Sequence, residues 1–404
     1  MSKTTLIQNV RPWGEPASDV LVDETGILAV SGANTASTEA TTVVDGGGGI
    51  LLPSFSDVHV HLDSTRLGLP FRPHTGGPAR WDRIMEDRAN WRSAEKSVAD
   101  RATGTLGTMI EKGVTRVRSH AQVDADSGLE KFEGVLAARE AHAERASVEI
   151  VAFPQVGILL EPGVTDLLDE ALRAGADLIG GIDPCEIDRD PKTHLDIVFA
   201  LAEKHQKGID IHLHEGGSLG LFSMELITER TRALGMQGQV SISHAFSLAS
   251  ALPGVSQAIA ELADLDIALT NVAPGHGLDL PLVDLVEAQI RVGLGMDGQR
   301  DYWSPWGNGD MLERAFLLAY GLGYSDDVLI EHALAIATWG GATVIDPSLA
   351  RLTSVTSRPG LGVGDPAELV IVRGDTPTAA VMDRESDRIV LHRGQVVAAG
   401  GSLI

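Results

Sequence analysis

Residues 50–63 read ILLPSFSDVHVHLD. Short β-type runs precede this stretch, and alternating strand and helix patterns follow it. Its apolar run, Ile50–Pro53, leads into Asp57-Val58-His59-Val60-His61-Leu62-Asp63. Because successive side chains of a strand point to opposite faces, His59 and His61 point the same way and can offer two imidazoles to one ion. Neutral imidazole is the commonest metal ligand in proteins. Such a pair also occurs by chance on surface strands, so it does not decide the function alone.

The chain beyond this stretch alternates short apolar runs with helical patterns. Candidate strands end near His61, His120, Gln155, Asp183, His212, His244, Asn271 and Asp297. After the first interval they recur roughly every 30 residues, the length of a strand, a helix and two loops. Eight alternations predict a (β/α)8 TIM barrel. A doubly wound open sheet is the rival architecture, although no Gly-rich phosphate-binding fingerprint follows the first strand.

The intervening segments carry apolar residues three and four positions apart, the spacing of an amphipathic helix. The predicted helices are Ala94–Lys112, Leu129–Ala146, Thr165–Ala174, His194–Gln206, Met224–Leu234, Val255–Leu265 and Leu282–Val292.

The two ends of the chain are rich in short β-type runs separated by turn residues. These runs are Thr4–Val10, Val20–Val22, Ile27–Val30 and Thr42–Val44 near the start, and Ala367–Val372, Arg388–Leu391 and Gln395–Ala398 near the end, with Arg393-Gly394 as a hairpin turn. Neither end can bury a core alone. We therefore predict one small β-sandwich domain formed by residues 1–53 and 346–404, and a barrel at residues 54–345.

The composition narrows the classes of function. The 404 residues include 32 Lys+Arg and 56 Asp+Glu, a formal net charge of −24 that repels nucleic acid and anionic membranes. A single cysteine, Cys185, forbids an internal disulfide, which fits a reducing compartment. We see no signal-peptide pattern at Met1 to Pro12 and no long apolar run typical of a membrane span. The sequence predicts a cytoplasmic protein with no nucleic-acid or membrane partner.

Further chemically useful side chains fall at the ends of later predicted strands. Asp210-Ile211-His212-Leu213-His214-Glu215 supplies a second histidine pair with a carboxylate, and His244 and Asp297 end two more strands. A lone polar residue at a strand end is usually a solvated loop residue or a cap. Reactive residues of barrel enzymes, however, lie at the carboxyl ends of the strands, where all these residues fall together.

At this point the sequence resembles the amidohydrolase superfamily, and within it the cytosine deaminase branch. The resemblance covers nearly the whole chain. It rests on Pro53 to His61, Val117-Arg118-Ser119-His120, Ala152-Phe153-Pro154-Gln155, His212-Leu213-His214-Glu215, Ser243-His244, Gly295-Met296-Asp297 and the tail from Gly360 to Val370.

The resemblance implies that His59, His61, His212 and Asp297 bind one divalent ion per chain, zinc or ferrous iron. Binuclear relatives present a bridging lysine or glutamate on strand four. That strand ends here in Gly181-Ile182-Asp183 without such a residue, which favours one metal. Acids after this strand, Asp183 or Glu186, are read as turn or cap residues.

The resemblance also implies the chemistry. Metal-activated hydroxide attacks an electrophilic ring carbon and an amine leaves. Glu215 is implied as the proton shuttle, while His244 and Asp297 position and deprotonate the water.

The remaining candidates concern the substrate. The resemblance implies that the side-chain amide of Gln155 forms hydrogen bonds with the heterocycle. His214 is a substrate-binding or supporting residue. His120 is placed among the supporting residues, and Cys185 is read as an apolar residue rather than a nucleophile. Aromatic walls are expected from Trp303 and Trp306, although ordinary packing is as common a role.

Departures from the family pattern concern specificity. Cytosine deaminases carry acids where this chain has Val156 and Gly298, so cytosine itself is in doubt as the substrate. The segment at residues 300–311 is closer to the isopropylammelide amidohydrolase side of the branch, which acts on substituted s-triazines. Residues 62–90 are either a lid or an interface.

We therefore predict a mononuclear metal-dependent hydrolase that removes an amino or alkylamino group from a pyrimidine- or s-triazine-type heterocycle, and family resemblance suggests a homo-oligomer. A cyclic-amide ring-opening hydrolase of the dihydroorotase or hydantoinase type is the alternative. A non-catalytic metal-braced binding protein is a weaker one, because structural metal sites usually close all their positions with protein ligands.

Overall fold

The computed structural model describes residues 3–33 and 40–404. The chain begins with five short strands. They are β1 (Thr5–Pro12), β2 (Ser18–Asp23), β3 (Gly26–Gly32), β4 (Thr42–Asp45) and β5 (Ile50–Pro53). β1 pairs antiparallel with β2 and parallel with β4 and β5, so β1 is the hub of this part of the sheet.

Eight parallel strands follow, each buried on both faces as expected when helices cover the outside. They are β6 (Phe55–Val60), β7 (Val114–Gln122), β8 (Ser147–Phe153), β9 (Leu178–Ile182), β10 (Gly208–Leu213), β11 (Val240–His244), β12 (Ala268–Asn271) and β13 (Val292–Leu294). Neighbours along the chain are neighbours in the sheet. An isolated parallel bridge between Val60 and Asp297 nearly closes this sheet into a barrel.

Helices connect the barrel strands and cover their outer face. They are α1 (Arg80–Asn90), α2 (Val98–Glu111), α3 (Glu130–Ala141), α4 (Val164–Arg173), α5 (Pro191–His205), α6 (Gly217–Leu234), α7 (Val255–Asp264), α8 (Leu282–Glu287), α9 (Met311–Gly321), α10 (Asp327–Ala335) and α11 (Gly341–Ile345).

The chain returns to the first sheet through α12 (Pro377–Asp383) and four strands. The strands are β14 (Leu369–Val372), β15 (Ile389–His392), β16 (Gln395–Ala399) and β17 (Ser402–Leu403). β14 pairs antiparallel with β5, which joins both ends of the chain into one nine-stranded sheet, separate from the barrel. Arg393 and Gly394 both have positive φ, 46° and 69°, as the predicted two-residue hairpin requires.

Each predicted strand end lies within about three residues of an observed one. The helix predictions were less accurate at four places. The helix predicted at Ala94–Lys112 begins at Val98, and the helix predicted at Leu129–Ala146 ends at Ala141. The helix predicted at Leu282–Val292 ends at Glu287, because Val292 already belongs to β13. The helix predicted from Met224 begins at Gly217, immediately after the polar end of β10.

One stretch of the described residues, Asp327–Ile345, is long and apolar enough to cross a membrane, with a mean hydropathy of 1.5. Since 78% of it is buried inside the protein, it packs as a core segment.

Candidate active site

Imidazoles from three barrel strands meet at one end of the barrel. The ligand atoms of His59, His61, His120 and His212 all lie within 4.8 Å of one another, and all four residues are buried. Asp297 completes the group, with its Oδ1 3.6 Å from His59 Nε2 and 3.4 Å from His61 Nε2. The structure thus brings together the four residues predicted to bind the metal.

The donor set fits a divalent cation. His59 Nε2 and His212 Nδ1 are buried atoms without a hydrogen-bond partner among the described residues. His212 Nε2 lies 3.3 Å from His61 Nε2, so two ring nitrogens face each other. Three imidazoles and one carboxylate are ligands that zinc and ferrous iron accept.

The electrostatics favour the metal-binding protonation states. Burial lowers the pKa of His59, and burial together with the surrounding imidazoles lowers that of His212 well below its usual value. For Asp297, the nearby imidazoles of His59 and His61 overcome the opposing effect of burial and hold the pKa well below its usual range. Two imidazoles are therefore neutral and the carboxylate is ionised, the forms that coordinate metals. The same carboxylate raises the pKa of His61 against the effect of burial.

A buried chain of hydrogen bonds fixes the His59 ring. The Ser243 hydroxyl donates to Asp210 Oδ1 at 2.6 Å and lies 2.8 Å from His59 Nδ1. Since the serine proton is used on Asp210, its oxygen accepts the Nδ1 proton, which leaves Nε2 as the coordinating nitrogen. Arg118 donates to the other oxygen of Asp210 at 3.0 Å. The sequence analysis did not single out Ser243, Asp210 or Arg118 as functional residues.

His120 is closer to the cluster than a supporting role implies. Its ring centroid lies 4.2 Å from that of His59 and 4.5 Å from that of His212. Burial lowers the pKa of His120 to about 3, so its ring is neutral. Its Nε2 is 3.6 Å from Oδ1 of Asp210, the carboxylate that also accepts from Ser243.

His244 and His214 stack at the rim of the cluster, with ring centroids 4.0 Å apart and 28° between the planes. His214 Nδ1 lies 2.8 Å from Asp183 Oδ2, which fixes the orientation of the His214 ring. Asp183 Oδ1 also accepts the backbone N–H groups of His214 at 2.7 Å and Glu215 at 3.2 Å. Asp183, which follows β9, thus holds the backbone and the His214 ring at the end of β10.

Glu215 is anchored from several sides. Its Oε1 accepts the backbone N–H groups of Cys185 at 2.7 Å and Glu186 at 2.8 Å, and its Oε2 accepts the hydroxyl of Ser223. Burial raises the pKa of this carboxyl. It lies behind the residues that line the cavity, which include its neighbour His214. Burial also raises the pKa of the Cys185 thiol, which agrees with an unreactive cysteine.

A cavity of about 330 Å³ opens above the cluster. Its lining includes the predicted residues Gln155, Trp303, His214, His244 and Asp297. The buried Nε2 of Gln155 has no partner within the described part of the chain and is free to contact a ligand. Trp306, in contrast, is 72% exposed and does not line the cavity, so the expectation of a second tryptophan wall was wrong.

The segment at residues 62–90 covers one side of the cavity. Pro78, Arg80 and Arg83 line it, the last two from the first turn of α1. Arg80 forms ion pairs with Asp183 at 3.1 Å and Glu186 at 2.6 Å, which tie α1 to the loop after β9. This segment therefore contributes directly to the wall of the site.

Comparisons with known proteins agree with this geometry. N-isopropylammelide isopropyl amidohydrolase of Pseudomonas sp. strain ADP is 28% identical over 359 residues, which is 88% of this chain and 87% of that protein. The crystal structure of N-isopropylammelide isopropylaminohydrolase from Burkholderia multivorans has a TM-score of 0.92 at 36% identity and covers 100% of both chains. That of 5-methylcytosine deaminase from Klebsiella pneumoniae liganded with 5-fluorocytosine has a TM-score of 0.79 at 25% identity, over 98% of this chain and 97% of that one.

A family model described as the amidohydrolase family matches residues 79–398, most of the chain. The buried histidine cluster is the type of site expected in this metal-dependent family. The protein therefore belongs to the amidohydrolase family.

Proposed function

We propose that the protein is a mononuclear metal-dependent hydrolase that removes an amino or alkylamino group from a nitrogen heterocycle of the pyrimidine or s-triazine type. The convergence of His59, His61, His212 and Asp297 at the floor of a 330 Å³ cavity carries the proposal. Similar proteins act on N-isopropylammelide and 5-methylcytosine, as their names state. A flat ring of that size fits a cavity with one tryptophan and one amide in its wall.

These four residues would hold one zinc or ferrous ion. A bound ion of this kind lowers the pKa of a water molecule toward neutrality, which supplies a nucleophile. No glutamate or lysine ends β9, where binuclear relatives place a bridging ligand. Its terminal acid, Asp183, is engaged by His214 and Arg80 instead.

The protein's own groups would move protons and orient the ring. Asp297 and His244 would take the proton from the attacking water. Burial and the neighbouring His214 lower the pKa of His244 well below its usual value, which keeps the His244 ring neutral and able to accept a proton. Glu215, with its raised pKa, would exchange a proton with a nitrogen of the ring. Gln155 would read the ring edge through its unpaired amide.

We also propose that residues 54–345 form a closed (β/α)8 barrel domain, and that residues 1–53 and 346–404 form a β-sandwich domain. A separate apolar cluster supports the second unit, because it joins Ile7 and Val22 from the start of the chain to Leu369 and Leu391 from its end. A homo-oligomer in the cytoplasm remains our proposal for the working state.

Amine release tests the function directly. Purified protein should release isopropylamine from N-isopropylammelide, or ammonia from 5-methylcytosine or pterin, and should contain about one metal ion per chain. Two ions per chain, with ring opening of a cyclic amide, would instead assign the protein to the dihydroorotase or hydantoinase type. A metal-loaded protein that binds these rings without turnover would be a binding protein.

A further inference from the structure

Gly298 leaves a space that another residue fills. A Cβ atom built on Gly298 would lie 2.1 Å from Asp301 Oδ2, which is far closer than two such atoms can approach. A side chain at position 298 and the present position of Asp301 are therefore mutually exclusive. The carboxyl group of Asp301 occupies the place beside Asp297 where a side chain of residue 298 would lie.

Asp301 is held so that one oxygen is engaged and the other is available. Its Oδ1 accepts the backbone N–H groups of Trp303 at 2.8 Å and Ser304 at 2.9 Å. Among the described residues, its Oδ2 has only the Ser64 hydroxyl at 3.5 Å, a weak contact. The residue is 8% exposed and lines the cavity. Oδ2 can therefore serve a ligand without disturbing the turn.

The carboxyl group of Asp301 has no ion-pair partner within the part of the chain that the structure describes. Over residues 3–33 and 40–404, no lysine, arginine or histidine forms an ion pair with Asp301. Burial raises the pKa of Asp301, and a ligand N–H donated to Oδ2 would compensate the buried carboxylate. A buried polar group left without a partner is costly, so a site of this kind favours ligands that supply one.

We infer that Asp301, rather than residue 298, is the carboxyl group that reads the substrate, and that it selects heterocycles presenting an N–H group beside the carbon under attack. Oxo-substituted amino rings, whose lactam tautomers carry a ring N–H, meet this requirement. The unpaired amide of Gln155 reads a second edge of the same ring. This inference rests on the proposed function and deepens it by naming the residue that determines specificity.

The test compares Asp301→Asn, Asp301→Ala and Gly298→Ala. Asparagine preserves an oxygen for the Trp303 and Ser304 turn but removes the carboxylate. With N-isopropylammelide we expect kcat/KM to fall about 10- to 100-fold, mainly through KM, with unchanged metal content and melting temperature. Gly298→Ala should act in the same direction, because its Cβ displaces Asp301 Oδ2. Asp279→Asn is the matched control, since Asp279 is equally buried and lies outside the cavity lining.

Several outcomes would overturn the inference: an unchanged KM in Asp301→Asn, a loss limited to kcat, or loss of metal from the variant. Failure of the proposed function is distinguishable, because the wild-type protein would then release no amine from N-isopropylammelide, 5-methylcytosine or pterin. In that case calorimetry with cyanuric acid decides. Binding that is strong in the wild type and lost in Asp301→Asn supports the inference, whereas equal binding, or none by either protein, rejects it.

Discussion

Replacing Ser243 by alanine should weaken metal binding without removing any ligand. The Ser243 hydroxyl is the only group through which Asp210 orients His59 Nδ1 in the described structure, with contacts of 2.8 Å and 2.6 Å. Without it, the His59 ring can take the tautomer that carries its proton on Nε2, which cannot coordinate. Loss of such a supporting contact typically costs 10- to 100-fold in metal affinity, about 1.4–2.7 kcal/mol.

Ser241→Ala provides the matched control. Ser241 lies two residues earlier on β11, is also buried, and accepts from Arg118 at 2.9 Å without touching His59. Both variants leave a buried polar group unpaired, so each should lose about 1–3 kcal/mol of folding free energy. Only Ser243→Ala should also lose metal affinity, measured by competition with a chromophoric zinc chelator. Equal zinc affinity in the two variants would refute the role assigned to the Ser243 hydroxyl.

Three further predictions address proton transfer, pH and metal. Glu215→Gln should lower kcat at least 100-fold while metal stays bound, because an amide cannot exchange a proton with the substrate ring; an unchanged kcat would exclude Glu215 from proton transfer. Burial lowers the pKa of His332 to about 4. Below about pH 6.5 the unfolded chain takes up a proton on His332 and the folded chain does not. The free energy of unfolding therefore falls by about 3 kcal/mol as the pH drops from 6.5 toward 4. Thermal melting of His332→Gln should show a smaller loss of stability over that pH range. Chelation should abolish amine release and lower the melting temperature, and added Zn²⁺ or Fe²⁺ should restore both, whereas activity in the chelated protein would contradict the metal site.

The barrel could be read from the sequence because its repeat is regular. Apolar runs spaced about 30 residues apart identify the strands, and polar residues such as His244 and Asn271 mark the strand ends. The metal ligands were assigned by the family resemblance, at strand ends that the same regularity locates. Helix ends were harder, since nothing local separates α8 from the loop before Val292.

The supporting residues were not predictable for a physical reason. Ser243 matters because it lies beside Asp210 and His59, which are 33 and 184 positions away in the chain. Strand register determines these contacts, and β10 pairs Asp210 with Ser241 and His212 with Ser243. The displacement of a carboxyl group from position 298 to Asp301 likewise depends on loop geometry that has no sequence period.

The bridge between Val60 and Asp297 has a consequence for how the protein acquires its ion. The backbone N–H of Asp297 donates to His59 O at 2.7 Å, and the His61 N–H donates to Asp297 O at 3.2 Å, so the first and last strands are joined by ligand residues themselves. The proposed set of four ligands is therefore complete only after Asp297, almost three quarters of the way along the chain, has been synthesised and has paired with the first barrel strand.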